Sequence, residues 1–80
     1  MVLVVGADAG VVTEVLQRVG DEDVVVLDES AGRLESLLDA LADPRLWFMI
    51  GDAVVIPLPD ASADEVVGDP ASPEVARVTR

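Results

Sequence analysis

Eighty residues carry sixteen Asp and Glu against five Arg, with no Lys, His or Cys, for a formal net charge of −11. This excludes disulfides and the thiolate or imidazole ligand sets of zinc, haem and iron–sulfur sites, and it repels nucleic-acid phosphates and anionic membranes. A hydrophobic content of 51% suffices for one small core and is too high for a disordered chain.

Val2–Val5 is a continuous apolar run stopped by Gly6, which predicts a buried strand. Gly10 opens a segment with Val11, Val12, Val15, Leu16 and Val19 at helical spacing, and Gly20 stands at its C-terminal cap. Val24–Leu27, closed by Asp28, predicts a second buried strand. Ser30 can cap a helix whose apolar face is Leu34, Leu37, Leu38 and Leu41, ended by Asp43-Pro44. Leu46–Ile50 predicts a third strand, with Trp47 and Phe48 in the core, before Gly51-Asp52 stops it. Residues 51–63, with Pro57 and Pro59, predict a loop with one turn of helix, and Asp64–Val67 a weaker fourth strand. Ser72-Pro73-Glu74 is a helix start, and the helix from there to Arg80 is short enough to fray. No basic leader precedes the first strand, and no apolar run approaches the roughly 20 residues of a membrane span. The expectation is a cytoplasmic protein.

Strands alternating with helices predict βαβ units and a parallel sheet. The strands are Val-rich and apolar throughout, as strands covered on both faces are. Right-handed crossovers place the first two helices on one face. Only the 51–63 loop and the short tail remain for the other. A homodimer, or a complex with another chain through this exposed sheet face, is therefore expected.

Three segments resemble one family. Val2-Leu3-Val4-Val5-Gly6-Ala7-Asp8-Ala9-Gly10 is similar to the glycine loop that opens class I, Rossmann-like S-adenosylmethionine-dependent methyltransferases of the type 11 kind. Val24-Val25-Val26-Leu27-Asp28-Glu29-Ser30 resembles that family's second strand, whose terminal acid meets the ribose hydroxyls. Gly51-Asp52-Ala53, followed by Leu58-Pro59-Asp60 and Asp64-Glu65-Val66-Val67, resembles its adenine-binding segment. The matches are in order and cover residues 1–67, the cofactor-binding half; residues 68–80 form a short helical tail of the same single domain. The resemblance implies a truncated α/β methyltransferase fold of about four parallel strands in the order 3-2-1-4. It implies S-adenosylmethionine as cofactor, held by Gly6, Ala7, Asp8, Gly10, Asp28, Glu29, Asp52 and Ala53.

The sequence departs from that family at informative places. The acid usual in the first strand is Val4, and the central loop glycine is Asp8, whose side chain crowds a bound cofactor. The segments that shape the methyl-acceptor pocket are absent. Without His, Lys, Cys or Tyr, only carboxylates could serve as acceptor base, Asp69 being the best placed, and no catalytic residue is assigned. No Gly-Lys-Ser/Thr loop, G-x-G-x-x-G pattern or EF-hand ligand order is present, and no metal site is assigned. These features predict a degenerate methyltransferase-like domain acting as a binding or interaction module with weak or no S-adenosylmethionine binding. The alternatives are a methyltransferase completed by oligomerisation or a partner chain, and a ligand-free structural partner of a full-length methyltransferase.

Overall fold

The computed structural model describes residues 1–80. Strand β1 (Val2–Val5) leads into helix α1 (Ala9–Arg18), then β2 (Val24–Asp28), α2 (Ala31–Ala40), β3 (Leu46–Ile50), β4 (Glu65–Val67) and α3 (Pro73–Val78). All strand pairs are parallel, in the order β3-β2-β1-β4. Val2 stands beside Val24 on one side and Glu65 on the other, and Val24 beside Leu46.

Strand alternation divides the apolar residues between two faces. Val2, Val4, Val24, Val26 and Leu46 face α1 and α2, which bury Val12, Val15, Leu16, Leu34 and Leu37 against them. Both helices start on a side-chain cap. Ser30 Oγ accepts from Arg33 N at 3.2 Å, as expected. Helix α1 begins one residue earlier than Gly10: Asp8 is its cap, with Oδ1 accepting from Val11 N at 3.1 Å. Arg45 closes the other end of α1. Its guanidinium donates to the carbonyls of Leu16 (2.9 Å) and Gly20 while pairing with Asp43 at 2.7 Å. That pairing lowers the Asp43 carboxyl to about 2.

The second face is covered by the chain itself, which removes the uncovered-face ground for expecting a homodimer. Leu3 and Leu27 are fully buried there by the chain's own Ile56, Ala63, Val75 and Val78. The 51–63 segment forms no helical turn; it crosses the sheet in extended and turn conformations and drives Ile56 into this second core. Arg77 of α3 holds it there. The guanidinium donates to the carbonyls of Ile56 (2.8 Å) and Leu58 (2.9 Å) and pairs with Asp60 and Glu74. Glu74 in turn accepts from Ile56 N at 2.9 Å. The tail does not fray, because Ala63 donates to the carbonyl of Val78 and Arg80 N to that of Ala63. The accessible surface is 4610 Å², and a self-contained monomer of 8.4 kDa presents about 4600 Å². The sheet therefore needs no companion to roof it.

Trp47 is the exception to the predicted core. It lies on the outer side of β3, 59% exposed, with its indole N–H 3.3 Å from Asp23 Oδ1. Phe48 is half-buried. No helix is long and apolar enough to cross a membrane.

Truncating Ile56 to Ala removes the central plug of the second face. Urea denaturation followed by circular dichroism should show a loss of about 2–5 kcal/mol. That loss should not change with protein concentration, since the roof is intramolecular. Raising salt from about 0.1 to about 1 M shortens the Debye length from about 10 to about 3 Å. With a charge of −11, the unfolding midpoint should rise over that range.

Candidate functional site

In an open parallel sheet, ligands bind beyond the carboxyl ends of the strands. A cleft of about 460 Å³ lies there, lined by Val5, Gly6, Leu27, Asp28, Glu29, Ser30, Arg33, Gly51 and Ala53. The chain turns sharply into it at Gly6, whose φ of +104° is open to glycine and strained for other residues. Gly6 N donates to the carbonyl of Leu27 at 2.7 Å, so the turn is pinned to β2.

Asp28 organises the floor and is 8% exposed. Oδ2 accepts from Ala7 N and Oδ1 from Ser30 N, both at 2.8 Å, and the Asp28 carbonyl accepts from Gly51 N at 3.1 Å. One residue thus joins the ends of β1, β2 and β3. The N–H of Ser30, then that of Ala7, stabilise the carboxylate and hold its pKa below the ordinary 3.8, with Arg33 adding attraction at 3.9 Å.

Of the residues that the sequence points to, Gly6, Asp28, Glu29 and Ala53 line the cleft. Ala7 opens onto a neighbouring depression beside Gly32 and Ser36. Asp8, Gly10 and Asp52 lie outside both. Asp8 does not project freely into the loop, since it caps α1. Gly10 sits inside the first turn of α1, where a Cβ would come 3.3 Å from Asp8 Oδ1; its lack of a side chain leaves room for the cap. Asp52 turns Oδ1 onto Val54 N at 2.8 Å and is exposed.

Arg33 and Gly51 also line the cleft; the sequence assigns Arg33 no role, and Gly51 only a place in the adenine-binding resemblance. Arg33 is one turn beyond the Ser30 cap, so a helix start at Ser30 already aims it back toward Asp28. Gly51 is packed: a Cβ there would come 3.1 Å from Leu27 Cδ1, a contact no local pattern reveals.

No protein-family model matches the sequence, and no curated protein matches it. The fold has a match among solved structures. It is a chain from the complex between the Haloferax volcanii Trm112 methyltransferase activator and a protein described as a methyltransferase, with a TM-score of 0.79 and 24% identity. The match covers 99% of this chain and 40% of that one, so this chain spans less than half of its length. What the two share is a small α/β fold with a four-strand parallel sheet.

Asp28→Ala leaves two backbone N–H groups without their acceptor and should cost about 2–4 kcal/mol, read by urea denaturation. The folded-state pKa of Asp28 is depressed, so its stabilisation is complete above the unfolded value near 3.8 and is lost as pH falls through the lower folded value. Asp28→Asn should therefore be less stable than the wild type at neutral pH, and the difference should shrink as pH falls below about 4.

Proposed function

We propose that this chain is a methyltransferase-like α/β module whose work is to bind another protein, with S-adenosylmethionine held weakly or not at all. The commitment of Asp28 carries this reading. The acid that the resemblance assigns to the ribose hydroxyls already accepts one backbone N–H on each oxygen, and the loop geometry depends on it.

The remaining residues fit the cofactor poorly. Asp52, assigned to the adenine amine, is turned onto its own loop outside the cleft. Asp8 places a carboxylate where the family has glycine, and that carboxylate is spent on the start of α1. The ionisable groups lining the cleft are Asp28, Glu29 and Arg33. Asp69, the positional candidate for an acceptor base, is not among its lining residues, and its Oδ1 accepts from Ala71 N at 2.9 Å.

Two further observations support a protein partner. Trp47, Ile50, Val54 and Val55 are each more than half exposed within a stretch of nine residues on and after the edge strand β3, and exposed apolar side chains that gather at one element mark candidate interaction surfaces. The solved structure with the same fold is itself a two-protein complex.

A second reading has one observation in its favour. The cleft brings Gly6, Asp28 and Ala53 together at the carboxyl ends of the strands, where a nucleoside would bind. On that reading the chain is the cofactor half of a methyltransferase completed by a second copy or a partner chain.

Calorimetric titration with S-adenosylmethionine and S-adenosylhomocysteine decides between them. The module reading expects no saturable heat below about millimolar ligand, a binding free energy weaker than about −4 kcal/mol. A micromolar dissociation constant for either compound would overturn it in favour of the cofactor site.

A further inference from the structure

We infer that the open edge of β3 is the docking surface, and that its occupant is an extended strand, rich in Lys or Arg, from a different protein. The inference rests on the protein-binding reading above and adds to it the place, the mode and the chemistry of the partner.

The edge is apolar on both sides. Facing α2, a groove of about 210 Å³ is lined by Ala31, Leu34, Leu38, Phe48 and Ile50, with Glu35 as its charged rim. Leu38 is 51% and Ile50 63% exposed. On the opposite side of the strand stands Trp47. Long, flat, hydrophobic edges are ordinarily blunted by Lys, Pro or a bulge. Leu46–Ile50 has none of these.

The backbone is also available. Val24 donates to the carbonyl of Arg45 and Gly51 to that of Asp28. In a parallel ladder the groups facing one neighbour alternate along the strand. Arg45, Trp47, Met49 and Gly51 therefore face β2, while Phe48 and Ile50 direct their N–H and C=O groups outward. Strand addition uses such groups for affinity and alternate side chains for specificity.

Charge selects the occupant. Every arginine of the chain has a carboxylate of its own chain within 4.0 Å: Arg18 with Glu65, Arg33 with Asp28, Arg45 with Asp43, Arg77 with Glu74 and Asp60, and Arg80 with Asp64. Four of the five are hydrogen-bonded to those carboxylates, and the fifth, Arg33, borders the cleft, so the groove beside β3 holds no cation to receive an acidic partner. Around the edge stand Glu35 at the groove, Asp23 beside Trp47, and Asp52 two residues after Ile50. A second copy would bring another charge of −11 to this rim. A strand carrying Lys or Arg between apolar residues would neutralise the rim and fill the groove.

The test uses the full ¹⁵N-labelled chain and a synthetic capped peptide alternating Val and Lys, with a Gly–Lys peptide of equal charge as control. The Val–Lys peptide should shift the amide resonances of Trp47–Ile50 and slow hydrogen exchange at Phe48 and Ile50 at least tenfold. Ile50→Pro removes an outward N–H without touching the β2 ladder, and should weaken binding at least tenfold. Leu38→Ser, an exposed change that leaves the backbone alone, should weaken it severalfold. Equal binding of the Gly–Lys peptide would reduce the effect to charge and overturn the proposal. So would shifts centred on Gly6–Ser30, unchanged affinity in both variants, or no binding at millimolar peptide. Self-association in sedimentation that Ile50→Pro abolishes would make the occupant a second copy, and overturn it as well. The calorimetric titration with S-adenosylmethionine reads the cleft alone, so the two readings fail separately.

Discussion

A single carboxylate holds the functional end of this molecule in shape. Asp28 takes the N–H of Ala7 from the first loop and the N–H of Ser30 from the start of α2, and its carbonyl takes the N–H of Gly51 after β3. Three chain reversals that are far apart in sequence meet on one residue. Bonds from neutral N–H groups to a largely buried carboxylate are among the stronger ones available to a small domain. The cleft and the loop that borders it are consequences of that junction.

The same economy operates elsewhere. An 80-residue chain has little core to spend, and the arginines of this one act as ties between elements. Arg45 joins the end of α1 to the loop before β3, and Arg77 straps the 56–60 segment to α3. Arg18 reaches from α1 to Glu65 on β4 with a two-point contact of 2.6 and 2.8 Å. Each tie consumes a positive charge internally. The surface left to partners is therefore anionic, and where β3 forms the sheet edge it is also apolar. Structural use of four of the five arginines sets the character of the recognition surface.

Much of the architecture was legible in the sequence because it is locally encoded. Val-rich runs bounded by glycine and acid specify strands, the spacing of Val12, Val15 and Leu16 or of Leu34 and Leu37 specifies helices, and Ser30 and Ser72 specify starts. The exceptions have physical causes. Asp8 resembles a misplaced loop residue until α1 is seen to begin at Ala9, where an acid three residues before Val11 N is a cap. Trp47 has the composition of a core residue, but β3 is an edge strand, and nothing in the chain reaches far enough to cover it. Half of the candidate site residues line the cleft, because the strand ends that carry Gly6 and Asp28 are set by the sheet. The position of Asp52 depends on how a loop folds back, and periodicity carries no information about that.

The sequence by itself determined the parallel sheet, its helices and the presence of an acid at the end of β2, since these follow from apolar period, capping chemistry and crossover handedness. Tertiary structure alone decided what covers the second face and what Asp28 does. Ile56 reaches Leu3 and Leu27 only because Arg77, some twenty residues later, grips its carbonyl. The Asp28 carboxylate meets Ala7 only because β1 and β2 lie side by side in register. Both contacts join residues distant in the chain, and their energies depend on three-dimensional proximity that no local pattern contains.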